Sequence, residues 1–298
     1  AQSRSHDCCI VRAFSPVHRV ELLVFSDAKM NRIISNFDLL KAEGRKGFIP
    51  FVSAGDPNLE TSRQIVLTLV ENGADIIELG VPFSDPMADG PTIQASSQRA
   101  LKNGVTLKDV LAMAAGLRTE TDVPLVLFSY LNPLFRYGIE RLADDAADAG
   151  VDGILVTDAV DEEAAEIADV LRKNGLDLIS LIAPTTTEDR LKKIAERSSG
   201  FIYAVSRAGV TGAQNETSTT AEALVERVRE YTDLPVAVGF GISTREQIEA
   251  VWCYADAAVV GSAIVVEIEK CVNAEIDPVK CVRELVGWLL PQRQKPER

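Results

Sequence analysis

From residue 30 onward, short apolar runs of strand length alternate with longer stretches in which apolar residues recur every three or four positions. The short runs are typical of buried parallel strands, and the longer stretches are typical of amphipathic helices. Two helical stretches, residues 59–72 and 161–174, are followed by glycine, which suits the left-handed cap of a helix. The predicted strands lie near residues 48–53, 75–80, 124–130, 153–158, 177–183, 201–206, 235–240 and 257–261.

Eight strands that alternate with helices can close into a (β/α)8 barrel, or TIM barrel. Such a barrel takes roughly 250 residues as one domain. An open doubly wound sheet is the alternative, but no Gly-x-Gly-x-x-Gly sequence follows the first strand. We therefore predict a single TIM-barrel domain over residues 30–298. Its last element is an amphipathic helix from Asp277 to Leu290.

Residues 1–29 lack this regular pattern and mix Ser, Arg, a Cys8-Cys9 pair and one short apolar run. A secretory signal needs a longer apolar region and a small-residue cleavage site, and neither is convincing here. A transit peptide is conceivable, although Asp7, Glu21 and Asp27 argue mildly against it. We expect a disordered extension before the domain.

The composition narrows the class of protein. The chain has 298 residues, of which 46% are hydrophobic and 25% charged, as in ordinary globular proteins. A net charge of −13 disfavours nucleic acid and anionic membranes as partners. The sequence contains no run of about 18 apolar residues, so no membrane span is predicted. An odd number of cysteines without a CxxC pair favours reduced thiols in a cytoplasmic protein.

Histidine chemistry is absent from the predicted domain, because both histidines, His6 and His18, lie before it. This removes histidine acid–base catalysis and most zinc sites from consideration there. Carboxyl groups are the remaining candidates. Glu78 shares a strand face with Ile76 and Gly80, so it should point into the barrel near the carboxyl ends of the strands, where such barrels carry their active sites.

A carboxyl group in that position is desolvated, which raises its pKa toward the range of a general acid or base. A structural Glu78 paired with an arginine is the alternative. The loop that follows, residues 81–91, is longer than a usual βα connection and contains Asp85 and Asp89. It therefore has the character of a functional loop, and magnesium binding by its acids is the less favoured interpretation because no other hard ligands converge there.

Glycines cluster after the last three predicted strands, in residues 206–212, 239–243 and 261–263. Each glycine alone is a common turn residue, but three neighbouring loops of this kind favour close approach of the backbone to a phosphate. No strand end carries a lysine for Schiff-base chemistry. Carbon–carbon cleavage would then need carboxyl groups and a substrate that accepts electrons itself, as indole does when it is protonated at C3.

At this point the residues resemble a known family. The block IELGVPFSDPMADGPTIQ at residues 77–94 is similar to the signature of tryptophan synthase alpha subunits. The blocks PFVSAGDP at residues 50–57, SRAGVTGA at 206–213 and GFG at 239–241 resemble further family segments in the same order. The resemblance spans about residues 33–290. It implies a lyase that splits indole-3-glycerol phosphate into indole and glyceraldehyde 3-phosphate.

The resemblance also implies roles for individual residues. Glu78 matches the catalytic glutamate that moves protons at indole C3 and at the glycerol hydroxyl, and Asp89 matches the aspartate that holds the indole N–H. Tyr203 matches a tyrosine near the glutamate, and Thr211 matches a threonine that closes onto the aspartate. The matches to the phosphate cradle are Gly212, Gly241, Gly261 and Ser262. The matches to the apolar groups around indole are Phe51, Phe128, Leu155 and Phe240. Plain barrel core is an equally good interpretation of each apolar residue alone.

The family's partner is a beta subunit in an alpha2beta2 heterotetramer. The resemblance implies that the beta subunit carries pyridoxal phosphate, that this chain binds no cofactor, and that indole passes between the subunits. Asp56, Pro82 and Asp85 lie on loops that resemble the docking face.

Two positions inside the domain depart from the family pattern. Val160 lies in a loop where the family usually has a proline, and Tyr254 occupies a position where the family usually ends a helix with glycine. A left-handed backbone conformation at Tyr254 would cost about 1 kcal/mol of strain.

Three other functions compete with this interpretation. The first is a free-standing indole-3-glycerol phosphate lyase that needs no beta subunit. The second is another phosphosugar barrel, such as an isomerase or an indole-glycerol-phosphate synthase, although the latter resembles an enzyme that uses a catalytic lysine. The third is a non-catalytic subunit that regulates a partner, against which the presence of both carboxyl groups argues.

Overall fold

The computed structural model describes residues 31–205, 214–239 and 241–290. Eight parallel strands form one closed barrel in which each strand pairs with the next in sequence and β8 pairs with β1. This confirms the predicted TIM barrel. The strands are β1 (Gly47–Ser53), β2 (Ile77–Gly80), β3 (Leu125–Ser129), β4 (Gly153–Val156), β5 (Asp177–Ile182), β6 (Ile202–Val205), β7 (Val236–Gly239) and β8 (Ala257–Val260).

One helix, α1, precedes the first strand, and the other helices follow the strands and form the outer layer. They are α1 (Arg32–Ala42), α2 (Leu59–Glu71), α3 (Pro91–Lys102), α4 (Leu107–Arg118), α5 (Leu131–Tyr137), α6 (Ile139–Asp148), α7 (Asp161–Lys173), α8 (Glu188–Arg197), α9 (Gln214–Arg229), α10 (Arg245–Trp252), α11 (Ser262–Asn273) and α12 (Pro278–Leu289). The glycines after α2 and α7, Gly73 and Gly175, have φ values of 101° and 70°, as their predicted capping role requires.

Alternation along β2 divides its side chains between two cores. Ile77 and Leu79 belong to the large core between the barrel and the helices. Ile76 belongs to a smaller core inside the barrel, together with residues from the other strands. Because side chains of a strand alternate in direction, Glu78 lies on the same inward face as Ile76, as predicted.

The amino-terminal end of the barrel is closed by α1. Its residues Ile33, Phe37 and Leu40 are buried and join the inner core. The ring of Phe37 lies 5.8 Å from that of Phe201, measured between centroids. The barrel is thus covered at this end, and the opposite end, where the strands finish, carries the connecting loops and the site described below.

One expectation about the cysteines was wrong. Cys271 on α11 and Cys281 on α12 form a disulfide, whereas Cys253 is free and exposed. The absence of a CxxC pair did not reveal this contact, because the two cysteines meet only when α11 packs against α12. The predicted disordered extension, residues 1–29, lies outside the described residues, so the domain boundary at residue 30 stays a prediction. No helix of the described residues is long and apolar enough to cross a bilayer.

Candidate active site

A cavity opens at the carboxyl ends of the strands and contains about 560 Å³ of empty space, part of it open to solvent. Eight of the residues predicted from the sequence lie around it. The lining residues are Phe51, Glu78, Asp89, Gly90, Ile93, Phe128, Tyr203, Gly241, Val259, Gly261 and Ser262. Segments from six different strands or their following loops therefore converge on one space.

Glu78 is the most deeply buried acid of this cavity, with 1% of its surface exposed. Its neighbours in the sheet register are Phe51 on β1 and Val126 on β3. One carboxyl oxygen, Oε1, is buried and has no hydrogen-bond partner. Burial in these surroundings raises the pKa of Glu78 to about 8. The group is therefore protonated near neutral pH and can donate a proton into the cavity.

Asp89 enters the same cavity from the loop between β2 and α3. The side-chain amide of Gln94 on α3 donates a hydrogen bond to the Asp89 carbonyl oxygen at 2.8 Å, which holds the loop against the helix. Burial raises the pKa of the Asp89 carboxyl to about 6, and a hydrogen bond from Tyr130 opposes this rise by favouring the carboxylate. Near pH 7 this group is mainly ionised, in contrast to Glu78.

Tyr130 contacts Asp89, and the sequence analysis did not single it out. Its hydroxyl bonds to the Asp89 carboxyl and accepts a hydrogen bond from the backbone N–H of Ala88 at 3.0 Å. Its ring packs against Phe83 of the same loop, with 5.2 Å between centroids. The available signal was its position, because Tyr130 directly follows β3 and so stands at the catalytic end of the barrel.

Tyr203 on β6 lines the same cavity as the two acids. It is buried, and the nearby Glu78 and Asp89 charges add to the effect of burial in raising its pKa well above the ordinary tyrosine range. A Cβ atom at Gly239 on the neighbouring strand β7 would overlap the Tyr203 hydroxyl. Gly239 is thus required for the position of the tyrosine, a packing reason that the sequence alone did not show.

The cavity walls are apolar where Phe51 and Phe128 meet. Their rings are 5.3 Å apart in an edge-to-face arrangement. A Cβ at Gly80 would overlap the Phe51 ring, so this ring needs a glycine beside it. Leu155, the one aliphatic residue expected near the ligand, is fully buried in the inner core and does not line the cavity.

The opposite side of the cavity suits an anion. Gly241 has a φ of 77°, and a Cβ there would meet no atom within 4 Å, so the backbone faces open space. Ser262 begins α11, and the N–H groups of the first turn of a helix are free to bind an anion. Three further residues of the predicted site, Thr211, Gly212 and Phe240, lie outside the described residues.

The three residues expected at a docking face differ in exposure. Asp85 is exposed and its carboxylate accepts a hydrogen bond from Ser84, whereas Pro82 is buried. Asp56 is 1% exposed, and Arg99 donates two hydrogen bonds to its carboxylate, both at 2.8 Å. The Asp56 carboxylate is therefore buried against Arg99 and is not exposed at the surface.

Neither departure from the family pattern disturbs the cavity. Val160 is 46% exposed at the start of α7. Among the described residues other than glycine, Glu275 is the one with a positive φ, so Tyr254 does not adopt the left-handed conformation considered above. The strain attached to that conformation therefore does not arise.

The matching family model and the relatives given below carry the same family name. A family model described as "Tryptophan synthase alpha chain" matches residues 37–289. The tryptophan synthase alpha chain of Citrifermentans bemidjiense is 53% identical over 247 residues, which is 83% of this chain and 92% of the relative. That of Geobacter sulfurreducens is 48% identical over 263 residues, which is 87% of this chain and 100% of the relative.

Solved structures agree with the sequence comparisons. Tryptophan synthase subunit alpha from Legionella pneumophila str. Paris superposes with a TM-score of 0.81 at 37% identity, covering 87% of this chain and 97% of that one. A chain of the aminoacrylate-bound form of tryptophan synthase from M. tuberculosis superposes with a TM-score of 0.77 at 36% identity, with coverages of 87% and 98%.

Proposed function

This chain belongs to the tryptophan synthase alpha chain family, whose members are lyases that cleave indole-3-glycerol phosphate, and we propose that Glu78 and Asp89 carry out this cleavage. One observation supports the assignment above all others. One buried and one half-buried carboxyl group face the same apolar cavity, and burial together with the Tyr130 hydrogen bond separates their pKa values, to about 8 for Glu78 and about 6 for Asp89. Such a pair supplies one protonated acid and one carboxylate at the same pH.

The reaction breaks the bond between indole C3 and the glycerol chain. Glu78 donates its proton to C3, which converts the indole ring to an iminium cation. The Glu78 carboxylate then takes the proton of the hydroxyl on the adjacent glycerol carbon. As that oxygen forms the aldehyde C=O, the carbon–carbon bond breaks and its electron pair returns to the ring. The products are indole and glyceraldehyde 3-phosphate, and Glu78 ends with one proton exchanged.

Asp89 acts on the opposite side of the ring. Its carboxylate accepts the hydrogen bond of the indole N–H, which stabilises the cation formed when C3 is protonated. Phe51 and Phe128, which touch edge to face, form the apolar wall against which the indole ring packs. Thr211 closes onto Asp89 and excludes water, as the resemblance implies.

The phosphate of the substrate lies at the glycine-rich side of the cavity. Gly241 and Gly261 let the backbone approach its oxygens, and Ser262 presents the first N–H groups of α11 to the negative charge. The resemblance implies the same role for Gly212. The chain's net charge of −13 makes such local groups necessary, since the surface as a whole repels anions.

The test is the substitution Glu78→Gln, which keeps the volume of the side chain and removes the transferable proton. We expect a loss of cleavage of at least about 100-fold, the scale of general acid–base catalysis. Binding of a non-cleavable analogue, indole-3-propanol phosphate, should stay largely intact. Indole release and calorimetric binding measure the two quantities.

A matched control is Glu140→Gln, which changes an exposed glutamate on α6. It should leave both quantities unchanged. If Glu78→Gln lost analogue binding together with activity, Glu78 would be a structural group and the acid–base proposal would fail.

The family name implies a beta-chain partner. We propose that this chain joins a beta subunit in an alpha2beta2 heterotetramer, that the beta subunit carries the pyridoxal phosphate, and that the assembly works in the cytoplasm. Exposed apolar side chains support a docking face at the cavity rim. Met87, Phe135 and Val160, which follow β2, β3 and β4, are 93%, 55% and 46% exposed. Exposed apolar groups that follow neighbouring strands are typical of protein interfaces.

The free-standing lyase is not favoured, because the matching family and relatives are alpha chains of tryptophan synthase. Indole release measured with and without a beta subunit distinguishes the two forms. A strong rise in turnover on adding the beta subunit is expected for the partnered enzyme. Full turnover by the isolated chain, unchanged by the beta subunit, would favour the free-standing form.

A further inference from the structure

Two helices on the outside of the barrel, α11 and α12, bring two cysteine side chains and a carboxyl group together. Cys271 on α11 and Cys281 on α12 are 5% and 8% exposed and are joined as a disulfide. Cys271 lies nine residues along α11 from Ser262, or about 14 Å at the rise of an α-helix. The cluster is therefore separate from the cavity proposed for cleavage.

Glu267 supplies the third group. It precedes Cys271 by four residues on α11, so the two side chains share one face of the helix. The Glu267 Oε1 atom lies 3.8 Å from the Cys271 sulfur. Its other oxygen, Oε2, lies 3.7 Å from the Lys270 ammonium group. The carboxyl group thus faces the sulfurs with one oxygen and leaves the other to the lysine.

The spacing of the three groups matches a metal site built on helices. One ligand atom from each residue lies within 4.8 Å of the others. Two ligands four residues apart on one helix form a chelating pair, as in the helical zinc motif with histidines at i and i+4. The third ligand comes from the facing helix. The Cα atoms of the two cysteines are 6.7 Å apart, near the upper end of the disulfide range, which leaves room for the sulfurs to separate around an ion.

We propose that Glu267, Cys271 and Cys281 bind a thiophilic divalent cation, with Zn²⁺ as the probe, once the disulfide between α11 and α12 is reduced. Thiolates prefer Zn²⁺ and Cd²⁺ over the hard ions Mg²⁺ and Ca²⁺, which require oxygen ligands. Three protein ligands leave one tetrahedral position for water. The site is half-shielded, because the cysteines are buried and Glu267 is partly exposed.

The redox step balances with a phosphine as the reductant. The phosphine gains an oxygen atom from water and loses two electrons, the sulfur–sulfur bond breaks, and each sulfur gains a proton. Binding of Zn²⁺ then releases both thiol protons as two sulfur–metal bonds form. Disulfide and metal site therefore exclude each other, and either one links α11 to α12.

The experiment uses the full chain with Cys8 and Cys9 replaced by serine, so that these two thiols contribute nothing. The protein is reduced with a phosphine, desalted without oxygen and titrated with Zn²⁺ against a chromophoric chelator. We expect one equivalent bound per chain in the reduced protein and none at the same concentration in the oxidised protein. Cd²⁺ should give a thiolate charge-transfer band, and Mg²⁺ should not compete.

Variants assign the ligands. Cys271→Ser and Cys281→Ser should each weaken Zn²⁺ binding by at least about 100-fold, and Glu267→Gln by about tenfold, since loss even of outer-shell partners costs about 10- to 100-fold. Cys253→Ser is the matched control, because Cys253 is the free, exposed cysteine of α10's C-terminus. It should leave the affinity within about twofold, a change of less than 0.5 kcal/mol.

Alkylation provides a second readout that does not depend on the variants folding. In the reduced protein, Zn²⁺ should protect Cys271 and Cys281 from iodoacetamide, while Cys253 reacts, as mass spectrometry of the peptides would show. Circular dichroism checks that reduction leaves the fold intact. Equal alkylation of all three cysteines with and without Zn²⁺, or equal Zn²⁺ affinity in reduced wild type and Cys271→Ser, would overturn the proposal.

Discussion

Glu78 and Asp89 show how local surroundings separate two carboxyl groups of the same cavity. Glu78 has an oxygen without a hydrogen-bond partner and a pKa raised to about 8 by burial. Asp89 is only half-buried, the Tyr130 hydroxyl stabilises its ionised form, and its pKa is about 6. Near pH 7 one group can therefore donate a proton while the other holds a negative charge.

The raised pKa of Glu78 predicts how stability depends on pH. In the unfolded chain this group titrates near 4.3, whereas in the folded protein its pKa is about 8. Between these values the folded state holds a proton that the unfolded state has released, so the free energy of unfolding falls as pH rises. The slope from this group is at most about 1.4 kcal/mol per pH unit.

We expect Glu78→Gln to remove that contribution. The variant should therefore gain stability relative to the wild type as pH increases from 5 to 8, and the difference should level off below pH 4. Urea unfolding at a series of pH values measures it. Asp89 titrates in both proteins, so its effect largely cancels. A stability difference that does not change with pH would show that Glu78 titrates normally.

The substitution Tyr130→Phe tests whether the Tyr130 hydroxyl lowers the pKa of Asp89. The substitution removes the hydroxyl that bonds to Asp89 and to the Ala88 N–H. Without it the pKa of Asp89 should rise further, so the acidic limb of the kcat profile should move to higher pH. We expect kcat/KM near pH 7 to fall about tenfold, equivalent to about 1.4 kcal/mol.

The control for this substitution is Tyr137→Phe, which removes a hydroxyl bonded to Asp145 on α6, outside the cavity. Its pH profile should match that of the wild type. If Tyr130→Phe lowered the rate without moving the acidic limb, the hydroxyl would position the loop and leave the Asp89 charge unaffected.

At the scale of elements, α3 connects the parts of the site. It begins just after Asp89, and its Arg99 bonds to Asp56 in the loop after β1 and to Glu269 on α11, the latter at 2.7 Å. The loop after β1, α3 and α11 thus meet at one guanidinium group. Because α11 starts with Ser262, this contact fixes the anion side of the cavity relative to the loop that carries Asp89.

Arg99→Ala should destabilise the protein by about 3 kcal/mol, since it leaves the Asp56 carboxylate buried without its partner. Arg63→Ala is the control, because Arg63 pairs with the more exposed Glu60 and Glu120. A surface pair of that kind contributes about 0–1 kcal/mol. Urea denaturation compares the two, and similar losses would mean that the Asp56 pair contributes no more than a surface pair.

At the scale of the whole molecule, the cavity and the exposed apolar rim lie at the same end of the barrel. Met87 belongs to the loop that also carries Asp89, so a partner that covers Met87 would contact the loop that holds this proposed catalytic group. This arrangement gives a direct route by which a beta subunit can raise the rate of cleavage.

Met87→Glu should weaken this effect. We expect the beta-subunit concentration for half-maximal stimulation of indole release to rise about tenfold, which corresponds to about 1.4 kcal/mol. Ile276→Glu is the matched control, because Ile276 is 52% exposed between α11 and α12, at the opposite end of the helical layer. Equal effects of both substitutions would place the docking face elsewhere.

The sequence alone determined the fold and much of the site. Periodicity located all eight strands, although β2 begins two residues later than predicted, at Ile77. Alternation placed Glu78 inside the barrel, and the long loop after β2 offered Asp85 and Asp89, of which the family resemblance singled out Asp89. These predictions succeed because they depend on local spacing along one strand or loop, which the chain carries in its own order of residues.

The tertiary structure decided the contacts between distant segments. Tyr130 meets Ala88 across 42 positions, and Arg99 meets Asp56 across 43. Cys271 and Cys281 are only 10 positions apart, yet they lie on separate helices, and their meeting depends on how α11 and α12 pack. Such contacts follow from barrel closure and helix rotation, which many residues set together. A local pattern therefore identifies a side chain and its direction, whereas packing chooses its partner and its pKa.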